Sequence, residues 1–221
     1  MSKPGRVFKW KFLLFDLGRI TGIFPGWFLY MPKKYNADGK RYKRNFKKNV
    51  IFVCNHNSFQ DSFVVLTSLL SRRVHLLMAR DVMKKLGYFF YSHIGCIPID
   101  RENIDIQAFN QMCQVVDDKR ALVIFPEGKL IDSDKSIAPI RSGAILVANK
   151  THTPIVPVYV QPNPHKFHRT KVIIGEPIKP YNEKNDEINA DDIERWTNEV
   201  YTAMSKLRDT YLNVAKREEE K

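Results

Sequence analysis

The chain has 221 residues, of which 43% are hydrophobic and 12% aromatic, and its formal net charge is +12. This length suits one domain that buries about 70% of the surface of the unfolded chain, and the composition excludes disordered, collagen-like and low-complexity proteins. Three cysteines without framework spacing, and no signal-peptide pattern, favour a reducing compartment. We therefore expect a globular protein that is cytosolic or faces the cytosol.

Positive charge is concentrated in the first 48 residues, which contain 13 Lys or Arg and only two acids, Asp16 and Asp38. Residues 49–221 contain 23 basic and 22 acidic residues and are nearly neutral. A nucleic-acid-binding domain usually carries its basic residues through the folded region. We therefore expect no nucleic-acid partner.

Residues 7–31 are unusually apolar and aromatic. This stretch is long enough to span a membrane, but it contains Asp16, Arg19 and Pro25. We expect instead a membrane-associating helical pair, broken at Pro25, that lies in the headgroup region. Eight basic residues between positions 33 and 48 suit an anionic phospholipid membrane. The alternative is a solvated basic linker, with the apolar segment packed on the protein's own core.

From residue 49 onward, short apolar runs alternate with segments in which apolar residues recur at helical spacing. Six runs predict β-strands, at residues 50–54, 74–79, 96–100, 122–125, 155–160 and 171–174. The helical periods predict helices at residues 58–70, 106–116, 141–149 and about 190–216. Strands separated by helices predict an α/β domain over residues 49–221, with a largely parallel central sheet flanked by helices.

Chemically interesting side chains follow several of these strands. Asn55 and His56 come after the first predicted strand, Arg101 after the third, and Glu127 after the fourth. Ligands of such sheets bind beyond the carboxyl ends of the strands. We therefore expect these side chains to form one site.

The first motif, residues 55–61, places His56 on a strand-to-helix turn and Asp61 in the first helical turn. A neutral imidazole oriented by a carboxylate can act as a general base toward an alcohol. The alternative is structural, because Ser58 followed three residues later by an acid resembles a capping box.

Two further motifs carry polar groups. Residues 95–101 end in Arg101, whose planar guanidinium suits a phosphate, although Asp100 and Glu102 could simply pair with it. Residues 125–128 place Glu127 at the edge of the sheet, where its carboxylate could bind an acceptor hydroxyl, and Gly128 permits close approach of the backbone. The alternative for this motif is an ordinary turn after a buried strand.

Taken in order, the blocks Asn-His-x-Ser-x-x-Asp, Gly-x-Ile-x-Ile-x-Arg, Phe-Pro-Glu-Gly and Val-Pro-Val resemble the glycerolipid acyltransferase family, which includes 1-acylglycerol-3-phosphate O-acyltransferases. The resemblance covers about residues 50–160. It implies acyl transfer from acyl-CoA or acyl carrier protein to a lysophospholipid acceptor, giving phosphatidic acid. We expect no cofactor, and the sequence has no metal-ligand spacing. It also implies a membrane-seated N-terminal helical pair, in agreement with the distribution of charge. Together with the expected reducing compartment, this predicts a peripheral or monotopic protein on the cytoplasmic face of a membrane.

The resemblance also assigns roles to individual residues. It makes His56 the base and Asp61 its partner, and it places Arg101, Glu127 and Gly128 in the acceptor site. Arg141 and Gly143 resemble the family's basic-x-Gly pair and are expected in the same substrate site, to which Lys129 could add charge. The family commonly continues Thr-Arg-Ser after Phe-Pro-Glu-Gly, whereas this chain has Lys129 and two apolar residues, which leaves the acceptor headgroup open. We further expect the backbone N–H groups of Asn57 and Ser58 to stabilise the oxyanion.

Three other interpretations stay open. Ser58 or Cys54 would serve as the nucleophile of a covalent mechanism. A metal site would draw on His56, Asp61, Glu127 and His152, although their spacings match no ligand signature. A non-enzymatic basic module would bind membranes or nucleic acid. Within acyl transfer, glycerol 3-phosphate or another lysolipid is the alternative acceptor.

Overall fold

The computed structural model describes residues 17, 21, 25–42, 49–69, 73–93, 95–128, 130, 137–181 and 188–220. Seven strands form one sheet in these ranges: Lys33–Asn36 (β1), Ile51–Cys54 (β2), Val74–Ala79 (β3), Cys96–Ile99 (β4), Ala121–Ile124 (β5), Ile155–Val160 (β6) and Lys171–Ile174 (β7). The helices with defined bounds are Gln60–Ser68 (α1), Arg80–Leu86 (α2), Tyr88–His93 (α3), Ile106–Asp117 (α4), Gly143–Lys150 (α5) and Ala190–Glu219 (α6). Residues 25–30 are also helical.

The strand order in the sheet is β1-β7-β6-β2-β5-β3-β4. Strands β2 to β6 are mutually parallel, β7 runs antiparallel to β6, and β1 runs parallel to β7. The carboxyl ends of β2 to β6 therefore meet at one edge, which we call the carboxyl edge. The predicted α/β class with a largely parallel sheet flanked by helices is confirmed.

The central strands are buried on both faces, as expected for parallel strands covered by helices. In β2, Ile51 and Val53 pack in one core cluster with residues of α4, α5 and α6. The alternate residues Phe52 and Cys54 pack in a second cluster with residues of α1 and α2 and with Tyr30. Successive side chains of a strand point to opposite faces, so the continuous apolar run IFVC fills both layers.

The observed elements agree with most of the predicted ones. Strands β3, β6 and β7 have the predicted bounds, β2 and β4 differ by one residue at one end, and β5 is shifted by one residue at both ends. The helices α1, α4, α5 and α6 were also predicted, with ends that differ by up to three residues. Strand β1 and the short helices α2 and α3 were not predicted.

Strand β1 lies within the first 48 residues and pairs with β7 along its whole length, so part of the basic N-terminal segment belongs to the sheet. The predicted N-terminal helical pair falls largely outside the described residues, and it stays a prediction. In the described part of the chain, no helix combines the length and the apolar character needed to cross a membrane.

Candidate active site

The turn after β2 brings His56 and Asp61 together at the carboxyl edge. His56 Nδ1 lies 3.5 Å from Asp61 Oδ2, and the imidazole ring stacks on Phe125 at the end of β5, with centroids 4.1 Å apart. The His56 side chain is 19% exposed, whereas Asp61 is fully buried. With Nδ1 toward the carboxylate, Nε2 is the ring nitrogen left to act as a base.

Asp61 also organises the turn itself. Its Oδ2 accepts hydrogen bonds from the backbone N–H groups of Asn57 and Ser58, both at 2.7 Å, and its Oδ1 accepts one from the Ser58 hydroxyl at 2.7 Å. The expected oxyanion role of Asn57 and Ser58 is therefore wrong for this geometry, because both N–H groups are already used by Asp61. Only half of the alternative capping box is formed: Asp61 accepts from the Ser58 N–H, but the Ser58 hydroxyl donates to Asp61 and does not cap α1.

The amide of Asn55 fixes the turn to the neighbouring strand. Its Nδ2 donates to the carbonyl of Val160 at 2.9 Å, and its Oδ1 accepts from the N–H of Val160 at 2.7 Å. These two hydrogen bonds extend the pairing of β2 with β6 by one residue beyond Cys54, with the Asn55 side chain in place of a backbone partner. The residue before His56 is thereby held in the sheet, which gives the turn a rigid base.

Glu127 is buried against the His56 turn and is not among the residues that line the cavity at this edge. It is 6% exposed, and its carboxylate accepts hydrogen bonds from the backbone N–H groups of His56 and Ala138. Burial, reinforced by the nearby charge of Asp61, raises the pKa of Glu127 to about 7 despite those hydrogen bonds. The carboxylate thus connects the end of β5 to the turn that carries His56.

Two guanidinium groups meet beside the turn that contains Gly128. Arg101 Nη1 donates to the carbonyl of Gly128 at 3.1 Å, and Arg141 Nη1 donates to the carbonyl of Arg101 at 2.6 Å. Arg101 also lies 3.7 Å from Asp81, so its neighbour is neither of the acids adjacent in sequence. Gly128 has a φ of +70°, and a Cβ there would lie 3.1 Å from Arg141 Nε, so both its conformation and its contact favour glycine.

A cavity of about 280 Å³ opens at this edge. His56, Arg101, Gly128, Arg141 and Gly143 lie in its wall. The rest of the wall is mostly apolar and comes from several elements: Phe59, Leu77, Met78, Val82, Ile99, Met112, Ile124, Phe125, Leu130 and Ala144. The site thus combines an imidazole, two cations and an apolar interior. Lys129 lies outside the described residues.

The sequence did not single out Phe125 or the apolar wall as parts of the site. Phe125 belongs to the Phe-Pro-Glu-Gly block, which was the available signal. Leu77 and Met112 come from β3 and α4, and their position in the wall depends on strand order.

The structure opposes Cys54 as a nucleophile and opposes the four-residue metal site. Cys54 is fully buried, and burial together with Asp61 raises the pKa of its thiol, which opposes thiolate formation. His152 precedes β6 and so lies at the opposite edge of the sheet from His56. Among the residues that the structure describes, no group of three or more His, Cys, Asp or Glu side chains is arranged to hold a metal ion.

The fold and the site define an α/β domain that places a histidine beside a buried carboxylate at the mouth of a cavity. A model of the acyltransferase family matches residues 34–161, more than half of the chain. The chain therefore belongs to the acyltransferase family, and the prediction of an O-acyltransferase is confirmed.

Curated relatives and a solved structure agree with this assignment. The chain is 26% identical over 153 residues to a protein of Bacillus subtilis named 1-acyl-sn-glycerol-3-phosphate acyltransferase, covering 66% of this chain and 73% of that protein. It is 28% identical over 156 residues to a protein of the same name from Limnanthes douglasii, but it spans only 53% of that relative. Its fold is similar to the crystal structure of the LPA acyltransferase PlsC from Thermotoga maritima, with a TM-score of 0.58, 16% identity, and coverage of 88% of this chain and 80% of that one.

Proposed function

We propose that the protein transfers a fatty acyl group from an acyl thioester, acyl-CoA or acyl carrier protein, to the free hydroxyl of 1-acylglycerol 3-phosphate, giving phosphatidic acid. The observation that carries this proposal is the shared cavity: His56, Arg101 and Arg141 line the same mostly apolar space. An apolar interior suits acyl chains, and guanidinium groups suit a phosphate. The names of the two relatives support this acceptor.

In the proposed reaction, the acceptor hydroxyl donates a hydrogen bond to His56 Nε2. The imidazole takes the proton as the hydroxyl oxygen attacks the thioester carbonyl, and Asp61 stabilises the resulting imidazolium. When the C–S bond breaks, the imidazolium returns the proton to the thiolate. The products are the ester and the free thiol, no covalent enzyme intermediate forms, and the acyl donor is the only co-substrate.

The proposed location is the cytoplasmic face of a membrane, with peripheral or monotopic attachment. The apolar residues 7–31 and the basic residues that follow them support this location, since an apolar segment next to cations suits an anionic leaflet.

The function is tested with the purified full-length protein in vesicles of phosphatidylcholine and phosphatidylglycerol. Acyl-CoA and acyl carrier protein donors are each offered with 1-acylglycerol 3-phosphate, glycerol 3-phosphate and lysophosphatidylcholine, and the products are identified by lipid mass. We expect phosphatidic acid from the first acceptor. Preferred acylation of another acceptor would overturn the proposal.

His56→Ala tests the catalytic base in the same assay. We expect activity below a few per cent of wild type with a melting temperature close to wild type, because the side chain is partly exposed and its Nδ1 has no hydrogen-bond partner within the described residues. His152→Ala, which removes an exposed histidine at the opposite edge of the sheet, is the matched control and keeps full activity. Substantial activity in His56→Ala would remove this residue from the mechanism.

A further inference from the structure

The loop between β6 and β7 lies at the same edge of the sheet as the active site. Strand β6 runs parallel to β2, and its last residue, Val160, is hydrogen-bonded to Asn55, the neighbour of His56. The loop of residues 161–170 therefore leaves the sheet beside the catalytic turn. Nothing in the proposed reaction uses its side chains.

The loop presents a phenylalanine to solvent. Phe167 is 62% exposed, and its φ of +63° lies in the left-handed region, which is unfavourable for a bulky residue. The helical residues 25–30 hold the loop in place, because the carbonyl of Leu29 accepts from the Phe167 N–H at 2.5 Å and that of Tyr30 accepts from the Thr170 N–H at 2.9 Å. The fold thus fixes an exposed aromatic ring in a strained conformation.

Neighbouring residues extend this feature into a surface. Phe28, also 62% exposed, meets the Phe167 ring edge to face at a centroid distance of 6.0 Å. We define the aromatic-basic surface by its exposed aromatic and basic side chains: Trp27, Phe28, His165, Lys166, Phe167, His168 and Arg169.

The surface has a single sign of charge. No acidic residue occurs between positions 154 and 175, or between positions 17 and 37. In the part of the chain that the structure describes, neither Lys166 nor Arg169 forms an ion pair. Cations that stay unpaired beside exposed aromatic rings are typical of residues that sit at the interface of an anionic bilayer.

We propose that the aromatic-basic surface is a membrane contact of the folded domain, which seats the carboxyl edge on an anionic lipid bilayer beside the cavity. The inference rests on the proposed function in that a lipid acceptor would enter the cavity from this bilayer. The surface joins Trp27 and Phe28, at the end of the apolar segment 7–31, to residues 165–169, which lie more than 100 residues further along the chain. An acidic carrier protein would also complement the charge, but the two exposed phenylalanine rings favour lipid, where apolar surface leaves water.

The test measures binding of the full-length protein to vesicles without substrate, either pure phosphatidylcholine or with phosphatidylglycerol added. Phe167→Gly removes the ring, and glycine adopts the left-handed conformation freely, so the variant keeps its fold. Arg169→Glu reverses one charge in the surface. Lys206→Glu, at an exposed position of α6, makes the same change in net charge elsewhere and is the matched control.

We expect Phe167→Gly and Arg169→Glu to weaken partition onto the anionic vesicles by about fivefold or more, with melting temperatures close to wild type. Lys206→Glu is expected to weaken it by less than twofold. Turnover of a soluble short-chain acceptor is expected to stay unchanged in all three variants.

The proposal would be overturned if Phe167→Gly and Arg169→Glu bound the vesicles as strongly as wild type. An equal loss of vesicle binding in Lys206→Glu would also overturn it. Unchanged vesicle binding with a raised KM for acyl carrier protein alone would also overturn it and assign the surface to that carrier. Because the vesicles hold no substrate, these results do not depend on whether the proposed function is correct. A catalytic failure would instead appear in the acceptor panel.

Discussion

At the residue scale, Asp61 serves both the turn and the imidazole. Three hydrogen bonds from Asn57 and Ser58 fix the carboxylate, and the fixed carboxylate then faces His56 Nδ1. The proton of the Ser58 hydroxyl is donated to Asp61, which makes Ser58 a positioning residue. A nucleophilic serine would instead give its proton to the base.

Ser58→Ala and Asp61→Asn separate these two roles. We expect Ser58→Ala to lose about tenfold or less in kcat, since the backbone bonds to Asp61 remain. Asp61→Asn is expected to lose about a thousandfold or more, because the imidazolium loses its counter-charge. Steady-state kinetics with melting temperatures as a folding check measure both. A Ser58→Ala variant as inactive as His56→Ala, or an acyl group trapped on Ser58 in the intact-protein mass, would restore the covalent mechanism.

Arg101 differs from a simple surface cation in its geometry. One of its nitrogen atoms is bound to the carbonyl of Gly128, which orients the guanidinium in the wall of the cavity. Arg101→Lys keeps the charge but replaces a planar fork by a point donor. We expect the KM for a phosphorylated acceptor to rise about tenfold while the KM for the acyl donor stays constant. Arg195→Lys, on the exposed face of α6, is the control. A rise confined to the KM for the acyl donor would mean that Arg101 does not bind the phosphate.

Residue roles were predictable from sequence where they depend on local geometry. His56 and Asp61 are five positions apart on one turn, so a motif suffices to pair them. Glu127 is different, because its contacts with the backbone of His56 and Ala138 cross between β5, the β2 turn and a later loop. The use of the Asn57 and Ser58 N–H groups was equally hidden, since every residue except proline carries such a donor.

At the element scale, the long helix α6 is fastened to the sheet near its carboxyl end. Lys33 of β1 and Lys171 of β7 stand opposite each other in register, which is unfavourable for like charges. Glu218 accepts hydrogen bonds from Lys33 and from the Tyr35 hydroxyl, and it lies 3.4 Å from Lys171. Partial burial alone would raise the pKa of Glu218, but these three partners lower it to about 2.

Glu218→Gln should therefore destabilise the protein by about 1 kcal/mol at neutral pH, a value reduced by the partial exposure of the group. The folded-state pKa is depressed, so the stabilisation is present above about pH 4.5 and is lost as the pH falls toward 2. Urea unfolding at pH 7 and pH 3 measures the difference, which we expect to shrink at the lower pH. Glu219→Gln, the exposed neighbouring acid, is the control. An equal loss in both variants would contradict the role of Glu218.

Elements were predicted where apolar periodicity is strong. The strands β3, β6 and β7 are dense in β-branched or aliphatic residues and were predicted to the residue. Strand β1 has the sequence KKYN, in which only Tyr35 is buried. This sequence lacks the apolar run or the apolar–polar alternation that predicts a strand. Its pairing with β7 and the attachment of Glu218 create the strand, so the tertiary structure outweighs a weak local preference.

At the scale of the whole molecule, strand order decides which motifs meet. Strand β5 lies between β2 and β3, so the Phe-Pro-Glu-Gly turn comes to rest beside His56, and β4 brings Arg101 from the far side of β3. The sequence predicted that these turns share an edge, because parallel strands place all their carboxyl ends together. It did not predict which turn would be buried, because burial depends on that order.

The buried carboxyl of Glu127 makes the stability of the folded protein depend on pH. Its folded-state pKa of about 7 is above the usual 4.5, so the folded state holds the proton more tightly than the unfolded state. The contribution of Glu127 to stability therefore falls as the pH rises from about 4.5 to 7, by about 3 kcal/mol in all. Glu127→Gln cannot ionise, so its stability should not fall in this way as the pH rises. Its absolute stability also changes, because the new amide lies where Oε2 has no hydrogen-bond partner among the described residues.

Urea unfolding at intervals from pH 4.5 to 8 measures the contribution of Glu127 to the pH dependence of stability. The proteins compared are wild type, Glu127→Gln and Glu199→Gln. Glu199 is an exposed acid of α6, so its variant should follow the wild-type profile. We expect the wild-type free energy of unfolding to decrease with pH relative to Glu127→Gln across this window. Parallel profiles for wild type and Glu127→Gln would mean that the carboxyl ionises as it does in water, and the link between β5 and the His56 turn would then be weaker than its contacts imply.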